Sequence, residues 1–144
     1  MDKEMRRSII LEHYQNPFHK GLIEDQTYLK VNVYNVSCID NITLMMKLED
    51  NFIQDIRFDG EACAISTSAT SILIEELLGK TKEEALIFLN EYEKMINEEE
   101  YNKDILGQAL VYEEIYLQPI RKRCALLPSR GIKEILEQNK KSRD

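Results

Sequence analysis

Three cysteines make up the whole thiol inventory of this 144-residue chain, and each stands in a short segment suited to holding a metal. Cys38 is followed two residues later by an acid, in Asn35-Val36-Ser37-Cys38-Ile39-Asp40. Cys63 ends Phe58-Asp59-Gly60-Glu61-Ala62-Cys63 and opens Ala64-Ile65-Ser66, while Cys124 closes the basic stretch Arg121-Lys122-Arg123. Three thiolates and the carboxylate of Asp40 supply the four donors of a tetrahedral zinc. Sulfur-rich donor sets select zinc, copper(I) or iron–sulfur clusters over magnesium or calcium. The separations of 25 and 61 residues exclude a finger-type pair of closely spaced cysteines.

Each of these residues also has an ordinary reading. A free cysteine commonly fills space in a core, and an isolated Asp40 reads as a turn residue or cap. The positions in the chain favour the metal. Cys38 falls in a loop between strands, Cys63 at a strand-to-helix junction and Cys124 near a helix start, all at element ends. Cys-x-Asp on extended backbone sends both side chains to the same side. At a helix start the Cys63 thiolate would also be favoured by the helix dipole.

The elements that must position these residues follow from periodicity. Met5, Ile9, Ile10 and His13/Tyr14 predict an amphipathic helix over 3–14 that ends near Asn16-Pro17. Leu29, Val31 and Val33 alternate with polar neighbours, as do Ile42, Leu44, Met46 and Leu48. After the turn Glu49-Asp50-Asn51, Phe52, Ile56 and Phe58 share one face of a third strand. Ile65, Ile72, Leu73, Leu77 and Leu78 then form a helical stripe closed by Gly79. Thr81 and Glu84 make a capping box that opens the next helix, which buries Ala85, Leu86, Leu89, Tyr92, Met95 and Ile96. Asn97 to Glu100 marks a loop or helix end. Further helices are expected over Leu106–Leu117, after Pro119 with Cys124 on it, and over Ile132–Gln138, with a break at Pro128. Strands first and helices afterwards predict an α+β fold, a small antiparallel three-stranded sheet with helices packed on one face, in a single domain over 1–144.

Composition narrows the function. The formal net charge of −7 argues against nucleic acid as a partner, because a phosphate-binding surface needs an excess of Lys and Arg. No apolar stretch approaches the length that crosses a bilayer, and the opening residues do not read as a signal peptide. A sparse, odd cysteine set fits a reducing, cytoplasmic location. His13 reads as a packed, hydrogen-bonded histidine and His19 as solvated. Arg121-Lys122-Arg123 reads equally well as a solvated helix start or as a charge cluster acting on Cys124 or on an acidic partner. Met45 and Met46 are expected to pack in the sheet.

Four motifs in order carry a resemblance over nearly the whole chain. His13-Tyr14-Gln15-Asn16-Pro17 with Gly21, the Asn35–Asp40 loop, Gly60–Ser66 and Pro119–Leu126 resemble the HYxNPxxxG, NPxCGD, GxGCxIS and PxRxxCAxL elements of the U-type iron–sulfur cluster assembly family (IscU/NifU N-terminal-like). The room between Cys63 and Cys124, around Asn97 to Ala109, and the absence of an LPPVK sequence before a His-Cys pair place the resemblance on the SufU branch.

That resemblance implies Cys38, Asp40, Cys63 and Cys124 as metal ligands and Cys38 as the catalytic thiol. It implies Zn2+ as the cofactor, with a [2Fe–2S] cluster or iron as the alternative. The implied activity is that of a sulfur acceptor taking persulfide sulfur from a SufS-like cysteine desulfurase, with a downstream scaffold or apo iron–sulfur proteins as further partners. The alternative is a scaffold on which a cluster is assembled and transferred. A closed, inert structural zinc site is a third reading. Four departures from the family pattern stand near the site or its helix. Ile39 and Ala62 occupy glycine positions, Val36-Ser37 replaces Pro-x, and Pro128 falls where related proteins continue a helix.

Overall fold

The computed structural model describes residues 1–36 and 39–143, the last five of these as backbone only. Three strands, β1 (Leu29–Tyr34), β2 (Asn41–Glu49) and β3 (Phe52–Glu61), pair antiparallel in the order β1-β2-β3. Tyr34 lies opposite Asn41 and Glu61 also lies opposite Asn41, so the start of β2 is clasped on both sides. The β2–β3 hairpin turns through Asp50 and Asn51 with φ of 52° and 69°, the left-handed pair of a type I′ turn. At the other end of β3, Gly60 has φ of 139° and its hydrogen faces the Asn41 carbonyl, where a Cβ would collide with backbone.

The helices are α1 (Lys3–Gln15), α2 (Ala64–Leu77), α3 (Lys82–Ile96) and α4 (Pro119–Arg143). Helix α4 packs on β1 and β2, α2 on β3, and α1 on α2. Gly131 lets α4 approach the sheet, since a Cβ there would sit 2.5 Å from Leu44 Cδ1. Met46 and Met45 are both buried, on opposite sides of β2. The expected capping box is present: Glu84 N–H donates to Thr81 Oγ1 at 3.1 Å and Thr81 N–H to Glu84 Oε1 at 2.9 Å. Gly79, with φ of 85°, follows the C-cap of α2.

Helix α2 is buried over far more than a stripe. Every residue from Ile65 to Ile74 is inside, including Ser66, Thr67, Ser68, Thr70 and Ser71. Each hydroxyl has a partner. Among others, Ser68 Oγ lies 2.5 Å from Tyr112 Oη, and Ser71 Oγ bonds His13 Nδ1 at 2.7 Å and accepts from Phe18 N–H at 2.7 Å. Such satisfied hydroxyls let a polar helix occupy a core.

Three expectations are corrected. Leu106–Leu117 is not one helix but part of a run of short 3-10 turns, Lys103–Ile105, Gly107–Tyr112 and Ile115–Leu117. Gly107 takes φ of 49°, which a right-handed helix cannot continue through, and Glu76 Oε1 captures the Gln108 N–H at 2.9 Å. No break occurs at Pro128: α4 runs through it and absorbs the separate helix expected over Ile132–Gln138. Packing on both α3 and the sheet holds the helix together across the missing N–H. His19 is not simply solvated. Its Nδ1 lies 3.0 Å from both the Ile56 carbonyl and Asp55 Oδ1, and its ring stacks on Phe18 at 4.2 Å. The packed reading of His13 agrees with the structure, in which Gln108 Oε1 lies 2.9 Å from Nε2.

Candidate metal centre

Three elements converge at one end of the sheet. Asp40 stands immediately before β2, Cys63 is the N-cap of α2, and Cys124 lies in the second turn of α4. One oxygen of Asp40 and the two sulfurs all lie within 4.8 Å of one another. Asp40 is 1% exposed and Cys124 2%, whereas Cys63 is partly open. Cys38, expected as the fourth donor, lies outside the described residues.

The local reason for each placement is visible. Cys63 adopts extended backbone with φ of −69° and ψ of 171°, and its sulfur accepts the Ser66 N–H at 3.4 Å as a helix cap would. The thiol therefore sits at the positive end of the α2 dipole, as its junction position suggested. Asp40 is held by the strand clasp and by the Asn35 N–H, which donates to its carbonyl at 3.1 Å. Asn35 Nδ2 ties the loop to α4 through the Arg123 carbonyl at 3.3 Å.

The Asp40 carboxylate is surrounded by donors. Cys63 N–H gives to Oδ1 at 2.7 Å, Ser66 Oγ lies 2.6 Å from Oδ2, and Asn35 Nδ2 reaches Oδ2 at 3.4 Å. Burial works to raise its pKa, but the bonds from Ser66, the Cys63 N–H and the two thiols outweigh it and hold the carboxyl below its ordinary value. Burial pushes the Cys124 thiol well up, and the adjoining Asp40 and Cys63 push the same way. A buried group of acids that oppose one another's ionisation is relieved by a cation among them.

Spacing tests the fit to a metal. Ligands at tetrahedral angles, with sulfur at about 2.3 Å and oxygen at about 2.1 Å from zinc, stand roughly 3.6 Å apart. Cys63 Sγ and Asp40 Oδ2 are 3.7 Å apart. The donor set therefore fits zinc in chemistry, and the Cys63–Asp40 pair fits it in separation. Ile39, at a glycine position beside the site, is 70% exposed. A cavity of about 450 Å³, lined by Cys63, Gln118, Pro119, Ile120, Arg121 and Cys124, opens beside the two sulfurs.

Ser66 had no assigned role on sequence grounds, although it stands three residues after the capping cysteine. Its buried hydroxyl touches both Asp40 and, at 3.0 Å, the Cys124 carbonyl. Spacing from Cys63 could have marked it as a cap-box position, but the link to α4 depends on tertiary packing.

Comparison with known proteins agrees with this geometry. Residues 5–125 match the family described as NifU-like N terminal domain. The zinc-dependent sulfurtransferase SufU of Bacillus subtilis is 33% identical over 89% of this chain and 86% of its own length. The iron–sulfur cluster assembly scaffold protein IscU of Thermotoga maritima is 31% identical over 94% of each. A solved chain from Fervidobacterium islandicum AW-1, assigned as a cluster assembly scaffold of the SUF system, superposes with a TM-score of 0.81. It is 28% identical and the match covers 94% of this chain and 99% of that one.

Proposed function

We propose that this chain, which belongs to the NifU-like N-terminal domain family, is a zinc-binding sulfur acceptor that takes persulfide sulfur from a cysteine desulfurase. The observation that carries the reading is the convergence of Asp40, Cys63 and Cys124 within 4.8 Å, in a chain whose relatives include a zinc-dependent sulfurtransferase. Cys38, two residues from Asp40, is the proposed fourth ligand and the accepting thiol. Bound zinc would keep the cysteines as thiolates at neutral pH and draw the loops together.

The transfer needs no external oxidant or reductant. The Cys38 thiolate attacks the terminal sulfur of the donor's cysteine persulfide, forming a new S–S bond on Cys38. The old S–S bond breaks, and the donor cysteine leaves as thiolate. Asp40, held ionised by its hydrogen-bond donors, keeps a negative charge in the site, while Cys63 and Cys124 anchor from two helices. The cavity of about 450 Å³ beside the sulfurs, with Ile120 68% exposed among its lining residues, is the proposed approach for the donor's persulfide.

The test is desulfurase turnover with and without the purified protein, together with bound zinc. Cys38→Ala is expected to abolish the stimulation while the protein stays folded. Unchanged stimulation by Cys38→Ala would remove Cys38 from the chemistry.

The second reading is a scaffold on which an iron–sulfur cluster is built and passed on. The comparable match to the Thermotoga scaffold favours it, and the same donors suit iron.

A further inference from the structure

Pro128 sits inside α4, four residues after Cys124, and is buried. In an unbroken helix the N–H of residue 128 would donate to the Cys124 carbonyl. Proline has no such hydrogen, and its ring crowds the carbonyl four residues earlier. The buried carbonyl thus needs another donor, and the hydroxyl of Ser66 lies 3.0 Å from it. The same hydroxyl lies 2.6 Å from Asp40 Oδ2. One hydroxyl carries one proton, so it can serve only one of these acceptors at a time.

From this geometry we infer that Pro128 and Ser66 are a positioning pair for Asp40, in which the Cys124 carbonyl freed by Pro128 accepts the Ser66 hydroxyl's hydrogen bond when Asp40 Oδ2 binds the metal. While Asp40 is away from the metal, the Ser66 hydroxyl donates to its carboxylate. When Oδ2 becomes a metal ligand, the hydroxyl rotates to the carbonyl and leaves neither a competing bond on Asp40 nor an orphaned buried donor. The backbone of one cysteine ligand is thereby linked to the availability of the carboxylate ligand. Pro128, which locally reads as a helix breaker, acquires a role at the metal centre. The inference rests on the proposed zinc site and deepens it.

A double-mutant cycle read by zinc affinity tests this, using competition with a chromophoric chelator on the full chain. Pro128→Ala restores the helical N–H, which then donates to the Cys124 carbonyl, so the Ser66 hydroxyl keeps donating to Asp40 Oδ2. Zinc affinity is expected to fall about tenfold, the lower end of the range over which changed outer-shell hydrogen bonds move metal affinity. The melting temperature should stay level or rise, because alanine is the better helix former. In a Ser66→Ala background the same Pro128→Ala change is expected to leave zinc affinity unaltered. Equal losses in both backgrounds, or none in either, would overturn the pairing while leaving the zinc site standing. A wild-type protein that binds no zinc would overturn both. If Ser66→Ala does not fold, Pro128→Ala alone decides, and a folded variant with wild-type affinity rejects the inference.

Discussion

The backbone N–H of Cys63 donates to Asp40 Oδ1 at 2.7 Å, so the cap of α2 holds a carboxylate that the chain placed 23 residues earlier. Two donors to the proposed metal are thus bound to each other. The strain of gathering like charges is met by hydrogen bonds, and the site is pre-organised to that extent.

Asp40→Ala removes that carboxylate and leaves the Cys63 N–H and the Ser66 hydroxyl without their strongest acceptor. Under the sulfur-acceptor reading, zinc affinity should drop by at least about 100-fold, beyond the usual loss of an outer partner. Desulfurase stimulation should fall with it. Anaerobic reconstitution of Asp40→Ala with iron and sulfide gives the opposite signature if the protein is a scaffold. A stable, transferable [2Fe–2S] spectrum would promote that reading over ours.

Removing zinc should lower the melting temperature without abolishing the fold. A ligand at about a thousand times its Kd adds about 4 kcal/mol, and 1 kcal/mol moves the midpoint by roughly 2–4 °C at this size. Exhaustive chelation is therefore expected to cost on the order of 10 °C in a calorimetric scan. The far-UV spectrum should survive, because the buried residues of α2, α3 and the sheet form a continuous core beyond the site. An unmoved midpoint would mean that no tightly held ion supports the fold.

Asp55 predicts a pH dependence far from the metal. Tyr28 Oη donates to its Oδ2 at 2.6 Å, Arg57 Nε lies at 2.8 Å and His19 Nδ1 lies 3.0 Å from Oδ1. Burial pushes this carboxyl's pKa up, but the bonds from Tyr28 and Arg57 and the charges of Arg57 and His19 outweigh it and leave it lowered. A depressed folded pKa stabilises the protein above the unfolded value of about 3.9, and the gain is lost as pH falls through the folded value. Asp55→Asn should therefore be less stable than wild type by about 1–2 kcal/mol at pH 7, with the gap closing below about pH 4. Urea unfolding at pH 7, 5 and 3 reads this directly. A gap that does not change with pH would assign the loss to shape rather than charge.

Much of the site and fold was written locally. Alternation in Leu29–Val33, Ile42–Leu48 and Phe52–Phe58, and the Asp50-Asn51 turn, specify an antiparallel meander because strand periodicity and left-handed turn residues act within a few positions. The Thr81–Glu84 box and the junction position of Cys63 are equally local, which is why a capping box and a cysteine at a helix start could be expected and both occur. The side-chain chemistry of Asp40, Cys63 and Cys124 points to a shared metal, and these three converge, whereas Cys38 lies outside the described residues.

Other features were decided only by contacts between distant parts of the chain. Pro128 reads as a helix break because its missing N–H and its ring disfavour helix locally, yet packing on α3 and the sheet outweighs that cost and Ser66 meets the freed carbonyl. The stretch 106–117 has helical periodicity, yet Glu76, from another helix, captures the Gln108 N–H and leaves only 3-10 turns. His19 looked solvated until Asp55 and the Ile56 carbonyl, from a strand far along the chain, met its ring. Propensity and periodicity report what a segment does alone. A buried carbonyl, a captured N–H or a carboxylate held by a helix cap depends on partners tens of residues away, and their positions exist only once the chain has folded.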